Sequence, residues 1–517
     1  MALPSPPAGR NWALATLSTI LFLTFLDNTI VSVVLAGIQT DLNAGVQTLQ
    51  WVVDSYMLVF AALMLTGGTL GDIFGRKKVM LGGVALFSVG SAIAMTAPSA
   101  GILTLGRIVM GVGAAASEPG TLSMIRHIYP DRQQRAQALG VWAAVSGVAL
   151  AFGPIIGGAI VSAASWREIF TFNLIFGVAV FIAGLKVLPE NADPQGRRLD
   201  IRGLLLGALA LGMSTYAVIR GETAGYRTWW IVMLFILSAV TLLEFILHER
   251  RAADPVLKLK FFRKPAFTGA NIVAFATNFG VFAIFFFTTL YLAIIAGFSG
   301  YRIAVSFLTM AAAMALAASF TGRWVARSGP AVPTVVGCVL AGAGMFLVDM
   351  VLTPTVGTGA LAWSLGITGL GFGMTLVTAT SLVLTIVPPE RSGMAASTVN
   401  MFRELGGVFG VAILGTIVNG QLTTKLADRL QALGLPHDFQ SLVIYALTHG
   451  GNLPANAHVS TSAILNHPEI VQQATTAAYQ AFGNGLDIAL RLAGGILLGA
   501  GVVAWLSFRS PQPALTQ

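Results

Sequence analysis

Long apolar segments alternate with short polar turns along almost the whole chain, as in residues 229–247 and 281–295. A stretch of about 18 or more apolar residues can cross a bilayer as a helix. No ten-residue segment alternates with period two, so the pattern does not favour a membrane barrel. We predict fourteen spans, at residues 12–38, 48–68, 79–97, 101–124, 136–163, 167–188, 201–219, 229–247, 267–296, 301–322, 333–351, 358–387, 392–418 and 481–507.

The composition supports this interpretation, because 55% of the residues are hydrophobic and only 10% are charged. Soluble proteins carry roughly 25% charged residues, and a soluble chain of 517 residues would need several charged domain surfaces. The single cysteine, Cys338, cannot form an intramolecular disulfide. We therefore predict an all-α polytopic membrane protein and exclude collagen, disordered chains and secreted disulfide scaffolds.

The net charge of +9 is explained by topology and does not require nucleic acid binding. An even number of spans places both termini on one side, and most lysines and arginines lie on that side. The exceptions are Arg167, Arg220, Arg227, Arg302, Lys425 and Arg429 on the opposite side and Arg107, Arg403 and Arg491 within spans. The positive-inside rule assigns the basic side to the cytoplasm. We predict a multi-pass protein of the bacterial cytoplasmic (inner) membrane with both termini cytoplasmic.

Linkers rich in proline and charge flank spans seven and eight, at residues 189–202 and 248–265. They predict an N-terminal six-helix bundle (1–188), an inserted two-helix hairpin with its linkers (189–265) and a C-terminal six-helix bundle (266–517). The last includes a long outer loop at residues 425–480, whose four histidines have no compact metal-ligand spacing. We therefore predict no metal site.

Four short motifs lie in the first half, in spans one, four and five and in the loop after span two. They are Leu26–Thr29, the loop residues Gly68, Asp72, Gly75, Arg76 and Lys77, the segment around Arg107, and Gly153, Pro154, Gly157 and Gly158. In this order they resemble the signature motifs of the major facilitator superfamily. With fourteen spans, the chain is similar to the drug:proton antiporter branch of that family.

The resemblance implies two six-helix bundles that rock against each other around a site near the midplane. It assigns gating to the loop around Asp72, although a positive-inside turn is the simpler alternative. It assigns a leak-resistant seal to the glycines around Pro154, for which ordinary close helix packing is the alternative. The second half carries Ala326 where the first has Asp72, so we expect it to lack an acid-based latch.

Ionisable residues within spans are the candidate proton-coupling groups: Asp27, Asp54, Glu118, Glu404 and Arg107. A charge at the membrane centre costs about 2.5–3.5 kcal/mol on the insertion scale, which favours a functional role. The helical rise places Asp27, Asp54 and Arg107 at one level, roughly 8–9 Å from the outer face. We expect Asp27 to pair with or lie near Arg107, and a purely static ion pair is the alternative.

Four residues are weaker candidates for the substrate cavity: Asn400, Arg403, Trp51 and Tyr56. In the last span, Asp487 and Arg491 are four residues apart and are predicted to pair with each other. Glu244 and Asp349 lie near span ends, where we expect solvent exposure.

We expect a proton-coupled multidrug efflux antiporter of amphipathic, cationic compounds rather than an enzyme. A carboxylate in a membrane cavity can be neutralised by a proton or by a cationic substrate, and this exchange is the basis of antiport. The sequence contains no P-loop motif, so nothing in it indicates that ATP drives transport. We therefore expect the proton to be the coupling ion and expect no cofactor. Three alternatives remain: a dedicated exporter of one metabolite, lipid or antibiotic, a uniporter, and a receptor or scaffold that transports nothing.

The expected partners are a small-molecule substrate, protons and the lipid bilayer. We expect a monomer, and no segment indicates a periplasmic adaptor protein.

Overall fold

The computed structural model describes residues 7–44, 46–190, 199–298, 300–432 and 468–508. Its helices are α1 (Pro7–Leu42), α2 (Val46–Phe74), α3 (Arg76–Met95), α4 (Ala100–Ile128), α5 (Arg132–Ala163), α6 (Glu168–Val187), α7 (Ile201–Ala224), α8 (Trp229–Glu249), α9 (Pro265–Ala283), α10 (Thr289–Ile294), α11 (Gly300–Ser328), α12 (Ala331–Val351), α13 (Thr358–Ile386), α14 (Ser392–Ala432) and α15 (Pro468–Phe508). A π turn at Ile284–Thr288 joins α9 to α10.

The fourteen predicted spans all correspond to helices in this part of the chain, which confirms an all-α membrane protein. Thirteen helical segments of the described residues are long and apolar enough to cross a membrane. The remaining predicted span, at residues 136–163, lies within α5, which has 32 residues. Most of the predicted outer loop, including its four histidines, lies outside the described residues.

The helices pack as two groups of six spans that meet along two seams. One group holds α1–α6, and the other holds α9–α15. At the first seam α5 packs on α11, and at the second α2 packs on α14. The first seam is close: a Cβ added at Gly140 would lie 2.7 Å from the Ala318 carbonyl oxygen, and one at Gly147 would lie 2.9 Å from the Met314 sulfur.

The inserted hairpin covers the α2–α14 seam. Helix α7 packs on α2 and α14, while α8 packs on α7. Helix α8 is mostly unburied along its apolar span, so it presents that surface to lipid. We call the side with the α2–α3, α4–α5 and α13–α14 turns the basic face.

Glycines of the predicted packing motif differ in what surrounds them. A Cβ added at Gly153 would overlap the Thr29 hydroxyl and approach the Ile30 nitrogen of α1, whereas one at Gly158 meets nothing within 4 Å. The motif therefore brings α5 against α1 inside the first group at Gly153, and Gly158 takes no part in this approach.

This difference predicts unequal effects of the same substitution. Gly153→Ala should destabilise the protein by about 1–3 kcal/mol, because it overpacks a helix contact. Gly158→Ala should leave stability unchanged or raise it slightly, because alanine favours helix over glycine. Thermal unfolding of the two purified variants in the same detergent measures the difference. Equal melting temperatures would contradict the packing role of Gly153.

The charges of the C-terminal group are paired differently from the sequence prediction. Arg491 donates from Nε to Asp349 Oδ2 at 2.7 Å, so it bridges α15 to α12. Arg491 also interacts electrostatically with Asp487, as predicted, but its hydrogen-bonded partner is Asp349. The prediction that Asp349 is exposed to solvent is wrong, because its side chain is buried, with 9% of the residue exposed. Spacing along one helix could not reveal a partner on another helix.

On the side opposite the basic face, Asp41 joins α1 to the turn between α5 and α6. It accepts hydrogen bonds from Arg167, whose guanidinium also binds the Ala97 carbonyl, and from Trp166 Nε1. The Arg167 hydrogen bond is the main cause that lowers the pKa of Asp41.

Candidate functional site

The predicted pairing of Asp27 with Arg107 is confirmed. Both side chains are buried, and the Arg107 guanidinium binds Asp27 Oδ2. Asn173 of α6 donates to Asp27 Oδ1 at 2.8 Å, so both carboxylate oxygens are hydrogen-bonded. Arg107 Nε also donates to the Val52 carbonyl at 3.0 Å, and its guanidinium lies 4.3 Å from the centre of the Tyr56 ring. We call Asp27, Arg107, Asn173 and Tyr56 the Asp27 cluster.

The sequence did not identify Asn173, although a single amide inside an apolar span is a usable signal. Tyr56, a weak prediction for the substrate cavity, lies in this cluster, and its hydroxyl donates to the Thr24 carbonyl. The Asp27 cluster joins α1, α2, α4 and α6 within the first helix group. Within it, both carboxylate oxygens of Asp27 and the Nε and Nη1 atoms of Arg107 are hydrogen-bonded.

Asp54 does not join the Asp27 cluster. Its electrostatic partner is Arg220 of α7, whose guanidinium lies 5.7 Å from the Trp51 ring. The Trp51 ring stacks on Tyr216 of α7 with the centroids 5.6 Å apart. The predicted candidates Asp54 and Trp51 therefore face the hairpin, on the opposite side of α2 from Arg107.

A second buried cluster lies between the two helix groups. Glu118 of α4 is fully buried, and neither of its carboxylate oxygens has a hydrogen-bond partner among the described residues. It interacts electrostatically with Arg403 and Glu404, which are buried on α14. Arg403 donates to Asn400 Oδ1 at 3.0 Å. Two acidic groups therefore share one arginine, and that arginine forms its hydrogen bond with an amide.

The first helix group supplies the aromatic wall of this cluster. The Arg403 guanidinium lies 4.9 Å from the Trp142 ring of α5. Trp142 Nε1 donates to Thr121 Oγ1 at 3.0 Å. The Thr121 hydroxyl in turn donates to the backbone carbonyl of Glu118 at 2.7 Å. We call Glu118, Thr121, Trp142, Asn400, Arg403 and Glu404 the central cluster. Trp142 and Thr121 escaped the sequence analysis, since an aromatic or hydroxyl residue in a span is usually structural.

The two clusters lie at different depths. Glu118 is ten residues from the end of α4 at the basic face, roughly 15 Å along the axis, which is near the middle of a bilayer core. Arg107 is eleven residues earlier on the same helix, roughly 16 Å nearer the opposite face. Of these two clusters, the central cluster is the one that combines residues from both helix groups.

Asp72 lies in the last turn of α2 rather than in the predicted loop, because α2 continues to Phe74 and α3 begins at Arg76, and it binds directly to the second helix group. Asp72 is buried and accepts hydrogen bonds from the Gly393 and Met394 backbone nitrogens, both at 2.9 Å. Arg76 donates to Asp72 Oδ1 at 2.9 Å and to the Pro389 carbonyl at 3.0 Å. A carboxylate at a helix N-terminus satisfies free N–H groups and complements the helix dipole. The Asp72 carboxylate therefore caps α14 across the seam.

Other predicted loop residues fix the geometry of this contact. A Cβ at Gly68 would lie 2.5 Å from the Ser397 side chain, so glycine permits α2 to approach α14. Gly75 has φ 106°, a left-handed conformation that favours glycine. Lys77 Nζ donates to the Leu185 carbonyl at 2.8 Å within the first group. Beside this seam, the Ser123 hydroxyl of α4 and the Ser392 hydroxyl of α14 are hydrogen-bonded at 2.9 Å.

Asp72→Asn should weaken the closed seam at the basic face, because an amide cannot accept from all of these donors. A reporter cysteine at Asn400, in a Cys338→Ser background, should react several-fold faster with a membrane-impermeant thiol reagent applied from the basic face. Asp131→Asn is the matched control, since Asp131 caps α5 within one helix group. Equal labelling rates in the Asp72 and Asp131 variants would contradict the latch.

Residues 17–411 match the family model described as Major Facilitator Superfamily. The chain is 31% identical over 488 residues to "Multidrug resistance protein Stp" of Mycobacterium tuberculosis, covering 94% of this chain and 90% of that protein. It is 28% identical to "Tetracenomycin C resistance and export protein" of Streptomyces glaucescens, with 98% and 93% covered. The fold is similar to the crystal structure of the human organic anion transporter MFSD10, with a TM-score of 0.60, 14% identity, and 97% and 100% covered.

Proposed function

Because the chain belongs to the major facilitator superfamily, we propose that it is a proton-coupled exporter of amphipathic, cationic compounds that works by alternating access. The observation that supports this most is Glu118, a fully buried carboxyl group with no hydrogen-bond partner among the described residues, between the two helix groups. A buried carboxyl group without such a partner must be either protonated or neutralised by a cation. Glu118 can therefore exchange a proton for a cationic substrate.

The surroundings of Glu118 fit a lipophilic cation. Trp142 supplies an aromatic face, on which Arg403 now lies, and a substrate cation would gain the same cation–π attraction. Glu404 adds a second acidic group, and Asn400 adds a polar partner on the same face of α14. The substrate cation would compete with Arg403 and with protons for these two acids.

The remaining elements give the exchange a direction. We assign the basic face to the cytoplasm on the positive-inside rule, so the Asp72 latch closes the cytoplasmic side and the state described is closed to the inside. The Asp27 cluster lies in the outer half, where protons enter. Protonation of Asp27 would release Arg107 and bias the first helix group toward the other conformation.

Drug names among the relatives support export, and they also keep one alternative open. The Streptomyces relative is named for export of a single antibiotic, tetracenomycin C, whereas the mycobacterial relative is named for multidrug resistance. A dedicated exporter could use the same central cluster with a more selective wall. The breadth of accepted compounds separates the two proposals.

Transport into inverted membrane vesicles tests the proposed function. An imposed gradient, acidic inside the vesicle, should increase uptake of lipophilic cations severalfold, and a protonophore should abolish the increase. A panel of cationic, neutral and anionic compounds in the same assay determines the range of compounds that the protein transports. Uptake that is insensitive to the pH gradient across the whole panel would contradict proton coupling.

A further inference from the structure

An apolar cavity of about 310 Å³ lies between the inserted hairpin and the α2–α14 seam. Its walls are formed by Leu65 of α2, Leu211 of α7, Phe245 of α8, and Met401 and Phe402 of α14. Every side chain that lines it is apolar. Such cavities exclude water and bind apolar ligands, and one of about 150 Å³ already accepts benzene.

The cavity is separate from the central cluster. Successive residues on a helix are turned by about 100°, so Met401 and Phe402 lie on the side of α14 opposite Asn400, Arg403 and Glu404. The cavity therefore faces the hairpin rather than the space between the helix groups. It extends from the segment between α8 and α9 at the basic face to about the middle of the bilayer core, because it is lined by Leu257 of that segment and by Leu211, which is ten residues from the start of α7, roughly 15 Å along the axis.

The linker between α8 and α9 forms the edge of the cavity at the basic face. Leu257, Leu259 and Phe262 of this linker line the cavity. The linker is held in place, since Glu249 accepts a hydrogen bond from the Leu257 nitrogen at 3.0 Å and Arg391 donates to the Pro255 carbonyl at 3.2 Å. The cavity thus has an ordered rim where the membrane meets water.

The same linker carries basic side chains on its outer surface. Lys260, Arg263 and Lys264 are exposed. The ammonium groups of Lys260 and Lys264 lie 5.9 and 5.6 Å from the centre of one ring, that of Phe261, so they flank the same buried side chain. A cationic rim at the membrane interface attracts anionic lipid headgroups.

We propose that this cavity holds one acyl chain of an anionic phospholipid, whose phosphate is bound by Lys260, Arg263 and Lys264. The apolar wall accounts for the chain, and the basic rim accounts for the headgroup charge. A lipophilic substrate would use the wall but has no need of the rim, so the observations favour the lipid. The proposal does not depend on proton coupling or on export.

The bound lipid would stabilise the latch. Leu65 lies on α2 and Met401 on α14, and these two helices also carry Asp72 and the Gly393 nitrogen that it binds. A chain that fills the cavity supports both helices in the arrangement with the seam closed.

Native mass spectrometry of the purified full-length protein tests the proposal, with phosphatidylglycerol and phosphatidylcholine of identical chains as probes. Retention of phosphatidylglycerol should exceed that of phosphatidylcholine by about tenfold. Leu211→Trp fills the cavity and should abolish retention of both lipids. Leu209→Trp is the matched control, because Leu209 is on the same helix, is 54% exposed and lies outside the cavity, and it should retain both.

A second pair of variants tests the rim. The triple variant Lys260→Gln, Arg263→Gln, Lys264→Gln should lose the preference for phosphatidylglycerol, while Arg250→Gln with Arg251→Gln should keep it. Equal retention of the two lipids by the unmodified protein would overturn the proposal, as would equal effects of the two tryptophan variants. Displacement of the retained lipid by a transported lipophilic cation would also overturn it, because the cavity would then be a substrate site.

Discussion

Asp27→Asn should abolish export driven by the pH gradient while leaving the protein folded in the membrane. The amide preserves the shape of the side chain and can still accept from Arg107, but it cannot gain or lose a proton. Arg107 would keep its bonds to the Val52 carbonyl and its position beside Tyr56. The expected result is a pH-gradient response reduced to the level of vesicles without the protein, with binding of substrate retained.

The matched control for this variant is Asp54→Asn. Asp54 lies on the same helix as Tyr56 but faces Arg220 of the hairpin, so its geometry predicts that coupled export survives. Vesicle uptake and proton flux should be measured in parallel for both variants. Full coupling in Asp27→Asn, or its loss in Asp54→Asn alone, would assign the proton to a different carboxyl group.

Glu118→Gln combined with Glu404→Gln should remove the preference for cationic ligands. Removing the charged partner of a buried pair costs about 2 kcal/mol or more, which corresponds to roughly 30-fold or more in affinity. We therefore expect the affinity for a lipophilic cation to fall by at least this factor. A neutral ligand of similar size should bind the double variant nearly as well as the original protein.

Arg403 makes the control for this experiment. Arg403→Gln removes the cation that now lies between the two acids and Trp142, so it should strengthen binding of the substrate cation rather than weaken it. Isothermal titration calorimetry with one cationic and one neutral ligand measures the affinities of the original protein, the double variant and Arg403→Gln. Equal losses for the cationic and neutral ligands in the double variant would mean that the substitutions damaged the fold rather than the site.

The sequence predicted the helical spans well because lipid imposes a simple requirement on each of them. A helix must satisfy its own backbone and carry about twenty apolar residues, so each span is visible in its own composition. The pairing of Asp27 with Arg107 was predicted for a related reason. Two charges at the same depth in hydrocarbon have few partners other than each other.

Where the partner of a charged residue depends on the side of the helix on which it lies, the sequence did not predict the partner. Asp54 shares the depth of Arg107 but lies on the side of α2 that faces Arg220 of the hairpin. Arg491 forms its salt bridge with Asp349 on another helix, a partner that spacing along α15 does not indicate. Depth along a helix follows from counting residues, whereas the direction of a side chain depends on the packing of neighbouring helices.

The central cluster shows the same limit more clearly. Glu118 and Glu404 were identified as separate intramembrane acids, because each stands out in its own span. The approach of these two acids to each other, and of Arg403 to Trp142, requires the two helix groups to be brought together, and no local pattern contains that information. The latch is similar, since Asp72 was singled out but its bonds to Gly393 and Met394 join residues more than 300 positions apart.

Proton release on substrate binding tests the central claim most directly. If a cation and a proton compete for Glu118 and Glu404, binding of a lipophilic cation to the purified protein in weakly buffered detergent should release about one proton per site. By linkage, the affinity should then rise as the pH increases from 5.5 to 8, by up to about tenfold per pH unit where the acid is protonated in the free protein. A neutral ligand should release none and show no such rise. Identical proton release and pH dependence for both ligands would contradict direct competition at the central cluster.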